Sequence, residues 1–307
     1  MNPLTNQECA MPCLNICSKI MKLLATLVFI LISFQAFAQC PSSFEYGNNP
    51  EAGHYAEVNG IKMYYEAYGN PEDPPLLIIH GNGGSVSSGR CQIEYFKEKF
   101  YTIIPDSRYQ GKSGWGTVEL TYTLIAKDYN ALLTSLGIDS VNIIGQSDGG
   151  NVGLILAMDY PDKVKKLVAS APNLLPDSSA VYQWSIDDVI RDLAAVEAKQ
   201  KQGDHSKELQ QAWALLNLMD KYPQIAYEEL EKIKAPVLVI TSDEDVIKPE
   251  HILKIYQQIP KAHLFIMPGA THVMLREEYE LFNQMAGRFL SQPFKRPTTK
   301  GVFHGGE

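Results

Sequence analysis

The chain has 307 residues, with 27 basic and 35 acidic side chains and a formal charge of −8. Hydrophobic residues make up 45% and charged residues 20%, an ordinary globular composition that excludes a disordered chain, a collagen-like fibre and a disulfide-dense mini-protein. An acidic balance without a cluster of Lys and Arg argues against nucleic acid or an anionic membrane surface as partner.

Residues 23–34 read LLATLVFILISF, a run without charge, preceded by Lys19 and Lys22 and followed by Ala36-Phe37-Ala38. A basic start, an apolar core of about 7–15 residues and an A-x-A site describe a secretory signal peptide. Residues 21–38 are therefore expected to be one, cleaved near Ala38. A membrane-spanning helix needs about 20 apolar residues, and Gln35 and Gln39 cut this run short. Residues 1–20 carry Cys9, Cys13 and Cys17 and no apolar periodicity, which fits a non-native leader ahead of a true start at Met21. Export to the periplasm or the exterior is the expectation, with a lipid anchor on Cys40 as the alternative. Beyond the cut only Cys40 and Cys91 remain, and in an oxidising compartment they could pair.

Eight β-rich runs follow, at 54–57, 61–67, 75–80, 101–105, 141–145, 164–171, 237–241 and 263–267. Asn59-Gly60 between the first two signals a hairpin. Later runs such as LLIIH and VNIIG are continuous apolar stretches, as strands buried on both faces require. Helix-like segments at 123–136, 151–160, 250–258 and 275–290 alternate with them. This alternation predicts an α/β fold: a mostly parallel, eight-stranded sheet flanked by helices. Residues 176–233 interrupt it with two or three amphipathic helices, predicted at 182–199, 206–222 and 224–233. Because ligands of open α/β sheets bind beyond the strands' carboxyl ends, this insertion is expected to form a small helical cap. One domain over 39–292 is expected, with a polar, frayed tail at 293–307.

GQSDGG at 145–150 contains G-x-S-x-G, a weak signal alone but one flanked here by a strand and a helix. Such a turn strains the serine backbone and demands small neighbours, which Gly145 and Gly149 supply. Ser147 then sits at a helix N-terminus, where amides favour developing negative charge. A serine hydroxyl needs a base and an orienting acid. His272, on a glycine-containing loop after the last strand, is the best-placed histidine for the base. Asp243 and Asp245 both lie on the loop after VLVIT, so the acid stays open between them.

The segments HGNGGS (80–85), DSRYQGKSG (106–114), GQSDGG (145–150), DEDVIKP (243–249) and PGATH (268–272) together resemble the α/β-hydrolase superfamily. The likeness runs from about residue 54 to 290 and is nearest to the esterase, lactonase and aminopeptidase-like group with a short helical cap. It implies a Ser147, Asp245, His272 triad, with the acid four residues before Pro249. It also implies an oxyanion hole from the backbone N–H groups of Asn82 and Asp148. Two positions depart from the family pattern: Tyr109 stands where glycine is usual, and Ser242 replaces a common glycine before the acid.

The GxSDGG elbow is similar to that of valacyclovir-hydrolase-like enzymes, which implies an Asp148 carboxylate that recognises a substrate amino group. Trp115, Tyr109, Tyr182, Trp184 and Trp213 are candidates to line an apolar acyl pocket. Arg108 reads as a structural ion-pair partner. No metal-ligand spacing and no cofactor fingerprint is present, so none is expected. The reading is an exported serine hydrolase of small ester-like substrates (carboxylester, lactone or aminoacyl ester). An aminopeptidase, a C–C bond hydrolase or a cofactor-free perhydrolase would use the same triad, and a catalytically idle binding protein would share the fold.

Overall fold

The computed structural model describes Cys40, residues 45–299 and Phe303. The expected leader and signal peptide, and the last part of the tail, lie outside these residues. Strands β1 (Gly53–Val58), β2 (Ile61–Tyr68), β3 (Pro75–Ile79), β4 (Tyr101–Pro105), β5 (Val141–Gln146), β6 (Val164–Ser170), β7 (Val237–Glu244) and β8 (Ala262–Thr271) form one sheet. Its order is β1-β2-β4-β3-β5-β6-β7-β8. Each predicted strand corresponds to one of these.

β1 and β2 form the predicted hairpin, turning on Asn59 and Gly60 at φ 43° and 79°. Positive φ at both positions matches the right-handed twist of the strands it joins. β2 runs antiparallel to β4, and the remaining pairings are parallel. Alternation along β3 shows why these strands are apolar throughout. Leu77 and Ile79 enter a core with Leu132, Val152 and Ile252, while Leu76 and Ile78 enter another with Phe96 and Phe282. Helices α2 (Tyr122–Ser135), α3 (Asp148–Asp159) and α6 (Pro249–Gln258) supply the first core; α1 (Arg90–Phe96) and α8 (Tyr279–Ser291) supply the second.

The insertion carries α4 (Gln183–Lys201) and α5 (Lys207–Lys221), with only a 3-10 turn at Tyr227–Lys232 where a third helix was predicted. The predicted helix at 275–290 is broken into α7 (Met274–Glu277) and α8, with Glu278 at φ −118° and ψ 42° between them. α1 carries no apolar period long enough to be read from sequence. Cys40 and Cys91 are buried, free thiols joined by a hydrogen bond, so the pairing open to them is not made here.

Three buried polar groups are held by specific partners. Arg108 forms a bidentate pair with Asp128 at 2.7 and 2.8 Å and also donates to the Trp115 and Asn59 carbonyls, the structural role expected of it. Glu66 is wholly buried and accepts from Tyr64, Tyr68 and the backbone N–H groups of Gly47 and Asn49, which pins the incoming chain to β2. His251 on α6 accepts from the Leu174 N–H through Nε2 at 2.9 Å, so its Nδ1 carries the proton shared with the Tyr227 hydroxyl.

Burial, helped by Lys254 and opposed by Asp177, pushes the His251 imidazole down to about 4. An unfolded histidine titrates near pH 6.5, so the unfolded chain binds the extra proton first. The stability that His251 contributes is complete above about pH 6.5 and is lost as pH falls towards 4. At 1.36 kcal/mol per pH unit the loss amounts to about 3 kcal/mol. Urea denaturation of wild type and His251→Gln at pH 7 and pH 4.5 should show this slope in wild type and a flatter one in the variant.

Candidate active site

The turn between β5 and α3 places Ser147 at φ 54° and ψ −118°, a conformation L-residues avoid. Its neighbours show what the turn requires. A Cβ on Gly145 would stand 2.1 Å from the Gly149 carbonyl oxygen, and one on Gly149 would stand 2.2 Å from that of Ile79. The Ser147 N–H donates to the Ser170 carbonyl at 2.8 Å, tying the elbow to β6.

β7 and β8 are longer than predicted, and the extension brings two loops together. Past an irregularity, Glu244 pairs with Thr271, so the next residues on the two chains are Asp245 and His272. His272 Nδ1 lies 2.7 Å from Asp245 Oδ1, and His272 Nε2 lies 2.9 Å from Ser147 Oγ. Asp245 also accepts from the Ile247 N–H at 3.1 Å and the Thr241 hydroxyl at 3.1 Å. Burial raises its carboxyl, but the His272 contact and these donors outweigh burial and leave it below the ordinary carboxylate range. Asp243, the rival for the acid, instead holds the Gly269 N–H with both oxygens at 2.8 and 3.0 Å.

Ser147 and His272 line a cavity of about 490 Å3 under the insertion. Asn82 and Asp148 line it too, and their backbone N–H groups make no hydrogen bond to any described residue. Asp148 is the first residue of α3, where an amide has no partner inside the helix. Its carboxylate does not cap that helix. It accepts from the Tyr122 hydroxyl at 2.7 Å and from Asn82 Nδ2 at 2.9 Å. Burial pushes this carboxyl above its ordinary range, against the pull of the Tyr122 and Asn82 donors and of His272. Asn82 Nδ2 also reaches the Leu215 carbonyl on α5 at 3.3 Å, which joins the cap to the loop after β3.

The cap begins on the acid's own loop. Val181 bridges Ile247, the Tyr182 N–H donates to the Val246 carbonyl, and the Lys248 N–H donates to that of Ala180. Ile186 and Val189 of α4 then face the cavity with Met219 of α5.

The aromatic residues expected to line the pocket do not. Tyr182 contributes its backbone to that bridge, and its ring stands exposed beside Lys248. Trp184 is 57% exposed on the outer side of α4. Trp213 packs on the main core. Trp115 stacks on Tyr109 at 5.1 Å and lies under Lys207. In each case a helix or turn phase that sequence leaves undetermined aims the ring elsewhere. Tyr109 holds the left-handed backbone expected of a glycine, at φ 68°, and its carbonyl accepts from Gln211 on α5. Tyr122 and Tyr222 line the cavity instead. A sequence signal for Tyr122 exists only in the Thr121 N-cap, which sets where α2 starts.

A model of the alpha/beta hydrolase fold matches residues 74–232. The Caulobacter sp. (strain K31) protein that bears the name carbamate hydrolase RutD is 27% identical over 75% of this chain and 96% of its own length. Serine hydrolase BPHL of Mus musculus is 24% identical over 76% of this chain and 84% of its own. The enol-lactonase structure from Burkholderia xenovorans superposes with a TM-score of 0.64 at 20% identity, covering 78% of this chain and all of that one, a likeness of fold.

The strain at Ser147 has a measurable consequence. Ser147→Gly should raise unfolding stability by about 1–2 kcal/mol in urea, the cost of a disfavoured backbone region, while Ser147→Ala should change it little.

Proposed function

The chain belongs to the alpha/beta hydrolase fold family, and we propose that it is an exported serine hydrolase of small ester-like substrates. The observation that carries the proposal is the hydrogen-bonded line from Asp245 through His272 to Ser147, at 2.7 and 2.9 Å. In the proposed reaction Ser147 Oγ attacks the carbonyl carbon while His272 Nε2 takes its proton. Asp245 holds the proton on Nδ1, which leaves Nε2 free to accept, and stabilises the imidazolium that forms. The free N–H groups of Asn82 and Asp148 receive the oxyanion. His272 then returns the proton to the leaving group, and water, activated by the same imidazole, releases the acyl group from Ser147.

The names of its relatives span carbamate, enol-lactone and carboxylester hydrolysis, all attacks on an acyl carbon. A second reading concerns Asp148. Its buried carboxylate, beside the reacting serine, has no cationic partner among the described residues and two neutral donors holding it in place. An ammonium next to the scissile carbonyl would supply that partner. Export rests on the signal-like residues 21–38, and the expected N-terminus of the mature protein is Gln39.

Ser147→Ala should fold and lose turnover of 4-nitrophenyl acetate, together with labelling by a fluorophosphonate probe. Activity within tenfold of wild type would refute the assignment, and an unlabelled wild type would favour a non-catalytic binding protein. Asp245→Asn should lower kcat by about 10³–10⁴, whereas Asp243→Asn should stay within a few fold. For Asp148→Ala, kcat/KM should fall further on an amino-acid ester than on its des-amino analogue. Equal losses would remove amino-group recognition.

A further inference from the structure

Arg276 stands out among the residues that line the cavity. Apart from His272 it is the only basic side chain there among the described residues, against the acids Asp148 and Asp220. It pairs with neither. Among the described residues its guanidinium makes no ion pair and no hydrogen bond; only its backbone N–H is used, by the Val273 carbonyl. Its side chain is exposed at the cavity, and an arginine there offers a planar, permanently charged donor to whatever enters.

Its position relative to the reacting groups is set by covalent spacing. Arg276 follows His272 by four residues, on the short helix α7. In the proposed reaction His272 hands its proton to the leaving group, so the leaving group departs on the imidazole's side of Ser147. The wall around Arg276 is built to stay put. Gln92 of α1 donates through Nε2 to the Leu275 carbonyl at 2.9 Å, locking α7 against α1. The same contact brings up Ser88, one turn before Gln92, which also lines the cavity. Ser88 Oγ accepts from the Ser85 N–H at 3.1 Å, and its own hydroxyl proton goes to no described residue. Where the cap meets the cavity, Val181, Ile186, Val189 and Met219 supply apolar surface beside the polar Ser185 and Asp220.

We propose that Arg276, seconded by the Ser88 hydroxyl, is an anion subsite that binds a carboxylate on the leaving group, so that preferred substrates are esters or amides of a hydroxy or amino acid. The inference rests on the hydrolase reading for the placement of the leaving group. Arg276 acts on substrate binding and takes no part in bond making. A guanidinium meets a carboxylate through two parallel N–H···O bonds, which gives both affinity and orientation. A cavity of about 490 Å3 has room for such an acid beside a short acyl chain.

The test compares 3-carboxyphenyl butyrate with its neutral methyl ester, two substrates that share an acyl group and differ in the charge of the departing phenol. The ratio of their kcat/KM values, acid over methyl ester, should fall at least tenfold in Arg276→Met and recover in part in Arg276→Lys. A ratio that Arg276→Met leaves within twofold of wild type overturns the proposal. A preference that instead follows the phenyl monoester of glutaric acid, with its carboxylate on the acyl side, overturns the placement on the leaving group. Binding of the product 3-hydroxybenzoate to Ser147→Ala, read by calorimetry, needs no turnover and should weaken at least tenfold when Arg276→Met is added. If that dependence holds while Ser147 takes no fluorophosphonate label, the hydrolase reading falls and the anion site stands. If Ser147 is labelled and the acid and the neutral ester are both turned over without any dependence on Arg276, the site falls alone.

Discussion

Backbone is packed against backbone where β5 turns into α3, with no room for a methyl group at Gly145 or Gly149. That crossing presses Ser147 into a left-handed conformation and presents its hydroxyl above the sheet's carboxyl edge. Everything else in the site is placed relative to this turn. The loop after β3 must pass close by, and the amide of Asp148 is left unpaired because α3 begins there. The strain is sustained because the sheet on one side and α3 on the other leave the turn no relaxed alternative.

Carboxylates buried in this domain are managed in distinct ways, and the differences follow their chemistry. Asp128 is neutralised by Arg108, and Glu66 is surrounded by four neutral donors. Both serve to hold chain segments together. Asp245 is held charged by His272 and the loop amide of Ile247, which suits a group meant to face an imidazolium. Asp148 is different: burial works against its charge, and its two partners are a phenol and an amide. Its environment at the elbow leaves room for a ligand's charge.

The cap is held by backbone and side-chain hydrogen bonds and by Ala214, Leu215 and Leu218 of α5, which join the main core. α4 has no buried residue. It is held at its start by the strand-like bridge to the acid loop, and α5 is held by Gln211 on Tyr109 and by Asn82 on Leu215. One of these ties ends on Asn82, which lines the cavity with Ser147. A cap fixed in this way shares its position with the loop after β3, so a molecule that fills the apolar space under α4 also bears on the geometry around Ser147.

Much of this was legible in the residues alone. β3 to β7 follow from short apolar runs, because a strand buried on both faces is apolar along its length, and β1 and β2 follow from β-rich runs on either side of Asn59-Gly60. The elbow is readable because only glycine tolerates such close approach, and the hairpin because Asn-Gly supplies two positive φ angles. The helix break at Glu278 and the short helix α1 were not legible, since no glycine, proline or apolar period marks them. Nor were the directions of Trp115, Tyr182, Trp184 and Trp213, which depend on helix phase and on which neighbour arrives first. The choice between Asp243 and Asp245 needed family likeness at the level of sequence. In the structure the pairing of Glu244 with Thr271, residues 27 apart, sets Asp245 rather than Asp243 against His272. Local chemistry (strand composition, glycine turns, the nucleophile's flanks) is written in neighbouring residues and can be read from them. The pairing of distant loops, the partners of buried charges and the unpaired arginine in the cavity wall arise only when the sheet brings separate segments into contact.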